Sequence, residues 1–255
     1  MGKIMGEQKN IKMTIEYEGT NYHGWQAQKN AVAICDVVTK AIRTATGEED
    51  VKLIGASRTD AGVHAYGQVV NFNTCANIPP DKYPFVLNVL LPDDIVVKES
   101  REASERFHAQ YYAKGKAYSY LIYSGKTPSA LMRNRAYFVP VKLRIGKMQE
   151  AALHFLGSQD FSAFCAAGAM VKSFVRTVHS LEVRKVGDNG DVIEIAISGN
   201  GFLYNMVRII AGTLVDVGKA KIAPGDVPQI IASLDRRRAG RTAPPQGLYL
   251  NEVFY

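Results

Sequence analysis

Residues 55–65 read Gly-Ala-Ser-Arg-Thr-Asp-Ala-Gly-Val-His-Ala, and they place a carboxylate, Asp60, two residues after a cation, Arg58. A guanidinium within a few ångströms of a carboxylate favours its ionised form, and its planar fork holds that carboxylate in one orientation. The flanking Gly55, Ala56, Ala61, Gly62 and Ala65 leave room for the backbone or base of another molecule to come close. Glycine adds backbone conformations that other residues avoid. An oriented, ionised and accessible carboxylate is what nucleophilic or electrostatic catalysis at a sugar carbon requires. An Arg-x-Asp also serves as a structural pair in a tight turn; the run of small residues around this one moves the reading toward a site.

Other groupings carry weaker signals. Tyr111, Tyr112, Tyr118, Tyr120 and Tyr123 crowd into one segment with Lys114, Lys116 and Lys126. Aromatic rings stack on bases and lysines hold phosphates, yet tyrosine also favours strands, and spacing alone favours that plainer reading. Phe107-His108-Ala109-Gln110 follows Arg106 as either a polar-aromatic contact loop or a domain linker. Arg208 interrupts a mostly apolar helical run. If buried, it needs a carboxylate or a phosphate, because an unpaired buried cation is very costly; on the polar helix face it needs neither. Arg236-Arg237-Arg238 with Arg241 reads as a phosphate-touching cluster or as a solvated helix end. The chain has no Walker loop, no complete dinucleotide fingerprint, no H-E-x-x-H and no G-x-S-x-G. Its five histidines lack metal-ligand spacing, and Cys35, Cys75 and Cys165 are scattered. The expectation is therefore no organic cofactor, no metal and no disulfide framework, as in a reducing cytoplasm.

The elements that must hold these residues can be read from periodicity. Ile11, Met13, Ile15 and Tyr17 alternate as in a half-buried strand, and Ile34 to Ala45 recur at helical spacing up to Gly47. Val51–Ile54 and Gln68–Phe72 read as strands flanking the Arg58–Asp60 loop. Pro79-Pro80 opens a helix toward Leu90, and Ile95–Lys98 is another strand. This β-α-β-β-α-β order matches the split βαβ plan: an antiparallel sheet with helices on one face and the other open to a ligand. The second half repeats the theme with a strand over Lys116–Tyr123, a helix over Gly146–Leu156 and paired strands over Phe174–Val186 and Asp191–Ser198. A turn at Gly187-Asp188-Asn189-Gly190 joins that pair. Helices over Leu203–Val217 and Val227–Leu234 and a final strand over Leu248–Phe254 follow.

The 255 residues accommodate one large or two ordinary domains, with a break placed near Glu102–Glu105: residues 1–104 carry the Asp loop and 105–255 form a second α/β domain. The net charge of +7 is uneven. Residues 1–127 contribute +1 and residues 128–255 contribute +6. Such an excess suits an anionic partner, most often nucleic acid, although many soluble proteins carry as much without one. The polar start lacks a signal-peptide core, and no apolar run reaches the roughly 20 residues that span a bilayer.

Read together, these segments resemble the TruA family of tRNA pseudouridine synthases. The resemblance rests on Arg58-Thr59-Asp60-Ala61-Gly62-Val63-His64, with Tyr22-His23-Gly24-Trp25-Gln26, Gly67-Gln68-Val69-Val70 and Asn88 to Ile95. It continues through Phe107-His108-Ala109, Tyr118-Ser119-Tyr120, Asp160 to Phe164, Met206-Val207-Arg208 and Gly247-Leu248-Tyr249-Leu250, in family order from about Ile11 to the end. Three departures bear on RNA contacts rather than on the chemistry: Ser57 for the commoner glycine, Ala33-Ile34-Cys35-Asp36 at a helix start, and Gln110 for a common arginine.

The resemblance implies an α+β pseudouridine synthase fold: two RRM-like, split βαβ domains with joined antiparallel sheets, helices on the outer faces and a cleft between them. It implies isomerisation of uridine to pseudouridine at tRNA positions 38, 39 and 40, in the anticodon stem-loop. The N1–C1′ bond breaks, the uracil turns and C5 joins C1′, so nothing is lost and no cofactor is called for. Asp60 corresponds to the catalytic aspartate, attacking C1′ or stabilising its developing charge. The target base must leave the stack at a cost of a few kcal/mol, and Arg58 would help hold that open state and pair with Asp60. Tyr118 corresponds to the tyrosine that packs on uracil and assists removal of the C5 proton, Arg208 to an arginine pairing with the aspartate, and Leu248 to an apolar wall. RNA contacts are expected at Phe107, His108, Ala109, Gln110, Lys126 and Lys172. The family acts as a homodimer on tRNA, and a cytoplasmic protein without membrane association is expected. Two other readings compete: a synthase for other RNA uridines, and an RNA-binding protein without chemistry.

Overall fold

The computed structural model describes residues 7–187 and 190–255. They fall into two compact units. The first comprises the described residues up to Ala113 together with Leu250–Tyr255, and the second is Lys114–Tyr249. The sequence break at residue 104 is linear, whereas packing carries residues 105–113 and the last six residues into the first unit. The tie is polar: Asn71 Nδ2 donates to the Phe107 carbonyl at 3.2 Å, Ala109 N–H donates to Asn71 Oδ1 at 2.8 Å, and the Tyr255 hydroxyl donates to the Ala109 carbonyl at 2.8 Å.

In the first unit, β1 (Lys9–Tyr17), α1 (Ile34–Thr46), β2 (Ile54–Gly55), β3 (His64–Thr74), α2 (Tyr83–Leu87) and β4 (Ile95–Ala103) follow in order. Strand order is β4-β1-β3 with β2 on β3, and every pairing is antiparallel. That is the split βαβ arrangement. Ile11, Met13 and Ile15 of β1 are wholly buried, as are Ile34, Val38 and Ile42 of α1. Period two in the strand and period 3.6 in the helix thus turn one face of each toward a shared core. Gly47 closes α1 at φ 70° and donates its N–H to the Arg43 carbonyl.

Two elements are shorter than periodicity predicts. The helix expected from Pro79 to Leu90 spans only Tyr83–Leu87. Pro84 lacks an N–H and is tolerated only in a first helical turn, so the helix cannot begin earlier. Beyond Leu87, the Asn88 side chain binds both the N–H and the carbonyl of Val97 and anchors the turn to β4. The strand expected over Val51–Ile54 is only Ile54–Gly55. After Ala56 its ladder is continued by a side chain: Ser57 N–H donates to Gln68 Oε1 at 3.2 Å, and Gln68 Nε2 donates to the Ser57 carbonyl at 2.6 Å.

The second unit runs β5 (Gly115–Ser124), β6 (Tyr137–Val139), α3 (Ile145–Ala152), β7 (Gly157–Asp160), β8 (Val175–Val186), β9 (Val192–Gly199), α4 (Met206–Gly218) and α5 (Val227–Ala232). Strand β10 (Leu248–Phe254) starts here and ends in the first unit. Antiparallel pairing gives β5-β9-β8-β7, and β6 runs parallel to β5. Helix α3 packs on α4 and β8. Of the turn expected at Gly187–Gly190, residues 188 and 189 lie outside the described residues. Helix α4 begins at Met206 rather than Leu203, because Asn205 takes the left-handed conformation at φ 60°. Strands β6 and β7 escaped the sequence reading; at three and four residues they are too short to display a period.

Candidate active site

The loop between β2 and β3 carries Arg58 and Asp60, and it is held from beneath. Thr59 is buried, with its Oγ1 2.7 Å from the Tyr17 hydroxyl. Its carbonyl accepts the Trp25 N–H at 3.0 Å, and the Asp60 carbonyl accepts the Val63 N–H at 3.2 Å. Gly62 turns the chain at φ 76° and donates to the Tyr22 carbonyl at 3.3 Å. His64, almost wholly buried, accepts the Gly19 N–H on Nδ1 at 3.0 Å. Its other nitrogen therefore carries the ring proton when the imidazole is neutral.

The segment Tyr22-His23-Gly24-Trp25 packs directly on this loop. Gly24 sits at φ 86°, and a Cβ there would lie 2.4 Å from the Thr59 carbonyl oxygen. A Cβ on Gly55 would lie 2.4 Å from the Trp25 indole nitrogen. The small residues noted in the sequence thus admit the protein's own Trp25 and backbone as well as leaving space at the surface. Ser57 is buried on the Gln68 amide, and Asp60 is half-buried. Arg58 is exposed and forms no ion pair or hydrogen bond among the described residues. The Arg58–Asp60 pair inferred from spacing is therefore not formed: the guanidinium stands in solvent, where ion pairing returns little.

In the second unit, β5 carries Lys116, Tyr118 and Tyr120 on one face. Ser119 turns the other way and donates to Glu194 Oε1 at 2.6 Å. Tyr118 is 8% exposed and meets the Phe202 ring edge-on at 5.3 Å. Tyr120 is fully buried, its hydroxyl donates to the Pro244 carbonyl at 2.7 Å, and burial pushes its pKa up. Lys116, two residues before Tyr118, is half-buried, and that burial lowers its ammonium to about 8. The sequence reading grouped Lys116 with surface lysines; strand phase, which sets it beside Tyr118, was the available signal.

Arg208 lies half-buried in the first turn of α4. Its Nε donates to the Ala243 carbonyl at 2.8 Å and one terminal nitrogen donates to Asn205 Oδ1 at 2.7 Å, while Ala243 N–H returns a bond to the Arg208 carbonyl. The stretch around Ala243 is clamped on the helix in turn. Gly240 N–H donates to Thr213 Oγ1 at 2.9 Å, and a Cβ on Gly212 would lie 1.8 Å from the Arg241 carbonyl oxygen. Periodicity left carboxylate, phosphate or solvent as partners for Arg208; the carbonyl and amide that it also meets are partners that periodicity could not show. Leu248 is buried at the start of β10, directly after Gly247, which abuts the Tyr120 ring. The Arg236–Arg238 cluster is largely engaged locally, with Arg237 paired to Asp235 at 2.8 Å and Arg236 bonded to the Gly240 carbonyl and Thr242.

The expected RNA-contact residues divide. Ala109 is fully buried and hydrogen-bonded through its backbone, so its side chain presents nothing to RNA in this structure. Phe107 is half-buried between Tyr112 and Tyr255, with Lys12 Nζ over its ring at 5.1 Å. His108 stacks on the exposed Tyr111 ring at 4.0 Å. Gln110, Lys126 and Lys172 are exposed. Among the described residues, no helix is long and apolar enough to cross a membrane.

A family model described as tRNA pseudouridine synthase matches residues 13–112 and 151–255. The chain is 55% identical to tRNA pseudouridine synthase A of Acetivibrio thermocellus over 97% of this chain and all of that protein. It is equally similar, over the same shares, to the protein of that name from Ruminiclostridium cellulolyticum. It is 46% identical to the Bacillus licheniformis protein of that name, over 96% of this chain and 98% of that one. A solved Cbf5-Nop10-Gar1 complex is similar at 14% identity and a TM-score of 0.36, over 81% of this chain and 45% of that chain.

Proposed function

Because the chain belongs to the tRNA pseudouridine synthase family, we propose that it isomerises uridine to pseudouridine at positions 38, 39 and 40 of the tRNA anticodon stem-loop. The observation that carries this reading is the braced loop of Asp60: a half-buried carboxylate on a loop tied through its backbone to Trp25 and Gln68 and through the Thr59 side chain to Tyr17. A group held in this way loses little on reaching the reacting carbon, because its orientation is fixed before substrate arrives.

Asp60 acts at C1′ of the flipped uridine, as nucleophile or as counter-charge, while the N1–C1′ bond opens; C5 then joins C1′, displacing Asp60 if it has bonded there, and the C5 proton leaves as N1 gains one. Arg58, exposed and without a protein partner among the described residues, helps to hold the flipped-out state of the base. Tyr118 packs on the uracil as it turns, steadied by Phe202. Arg208, fixed by Ala243 and Asn205, supplies positive charge near the reacting carboxylate, and Leu248 supplies an apolar wall. Such walls keep water from C1′, where it would hydrolyse the nucleotide. His108, Gln110, Lys126 and Lys172 contact the RNA. The active form is a cytoplasmic homodimer, whose second copy extends the basic surface available to one tRNA.

The test is to treat an unmodified tRNA carrying uridine at 38, 39 and 40 with the protein and to map pseudouridine at single-nucleotide resolution. Modification confined to those three positions is the expected result. Product elsewhere in the tRNA would overturn the assignment of position while leaving the chemistry intact.

A further inference from the structure

The second unit contains a cavity of about 750 Å³ where the C-terminal end of β5, the N-terminal end of β9 and the segment leading into α3 converge. Lys126, Lys142 and Lys185 line it, with Asp191 and the apolar side chains of Val141 and Ile193. Its frame is rigid. Ser124 N–H donates to the Asp191 carbonyl at 2.8 Å, Ser124 Oγ to the Val141 carbonyl at 2.9 Å, and Gly125 N–H to the Val139 carbonyl at 3.3 Å.

The three lysines are exposed, and among the described residues none takes part in an ion pair. Against Asp191, the one carboxylate lining it among the described residues, they leave the concavity with a net positive charge. A concave, low-dielectric wall focuses such a field outward and concentrates anions there. The place is separate from the residues assigned to chemistry. Ser124 lies six residues beyond Tyr118 on β5, about 20 Å along the strand.

Resting on the function proposed above, we propose that this cavity is a second RNA-binding site, which grips the phosphodiester backbone of the same tRNA some 20 Å from the target uridine. The lysines hold successive phosphates, and the exposed Val141 lies against ribose. Lysine serves here as a point charge on a flexible stem, which suits a contact that must tolerate tRNAs of different sequence.

The experiment compares tRNA affinity across about 50–200 mM salt for the wild type and for Lys126→Gln/Lys142→Gln/Lys185→Gln. Two reference variants accompany it: an equal charge change at the exposed Lys40, Lys52 and Lys221, and arginine at all three cavity positions. The cavity variant is expected to bind about ten-fold or more weakly at the low-salt end, with its log–log salt slope reduced by roughly 2–3. The arginine variant keeps the wild-type slope, and the reference variant changes much less. A wild-type slope in the cavity variant, or an equal loss in the reference variant, overturns the proposal. Wild-type protein that binds tRNA through these lysines but forms no pseudouridine would sink the catalytic reading and leave the second site standing.

Discussion

The loop that carries Asp60 depends on neighbours that hold its backbone, and Gly24 is the most exacting of them. At φ 86°, with any Cβ 2.4 Å from the Thr59 carbonyl, Gly24→Ala must move the loop or strain itself. We expect it to cost about 1–3 kcal/mol of stability and to lower kcat at least ten-fold; unaltered kcat in denaturation-checked protein would show that the loop is not held from this side. Arg58→Ala removes an exposed side chain with no partner among the described residues, so its unfolding midpoint should stay that of the wild type. Single-turnover product formation should fall far more than tRNA binding, and the opposite pattern would reduce Arg58 to a phosphate contact. At this scale the sequence displayed which residue types meet in the loop but not their partners. Spacing suggested that Arg58 would bind Asp60, whereas the structure leaves Arg58 in solvent. Contacts such as Gln68 on Ser57 and Asn205 on Arg208 are fixed by backbone geometry that no spacing rule encodes.

At the scale of elements, β5 combines structural and chemical demands on one face. Tyr120 is sealed inside, Tyr118 is nearly so, and Lys116 continues the row with an ammonium lowered to about 8 from an ordinary 10.5. Between those two values the unfolded chain binds more protons at this site than the folded one, so the contribution of Lys116 to stability rises with pH across that window. Urea midpoints measured between about pH 7.5 and 9.5 should therefore rise less with pH in Lys116→Met than in the wild type, and identical slopes would contradict the burial argument. Periodicity located β1 and α1 well, because each buries one regular face, and it placed β10 correctly, but it found only the middle of β3, which is buried on both faces. It overextended α2, where Pro84 forbids an earlier start, and β2, where a glutamine side chain takes over the ladder. Strands β6 and β7 escaped it altogether.

For the molecule as a whole, the split βαβ order was legible in each half because alternating strand and helix periods survive in both. The assignment of the last six residues to the first unit was not, since it depends on long-range pairing. The proposed homodimer predicts a solution mass of twice 28.0 kDa, about 56 kDa, by sedimentation equilibrium; a species of 28 kDa at micromolar concentration would contradict it. The central claim is that one carboxylate performs an isomerisation, and it is tested most directly by pseudouridine formation in unmodified tRNA with wild type and Asp60→Asn side by side. Product from the wild type alone, with tRNA binding retained by the variant, is the predicted result. Wild-type turnover by Asp60→Asn would remove Asp60 from the chemistry.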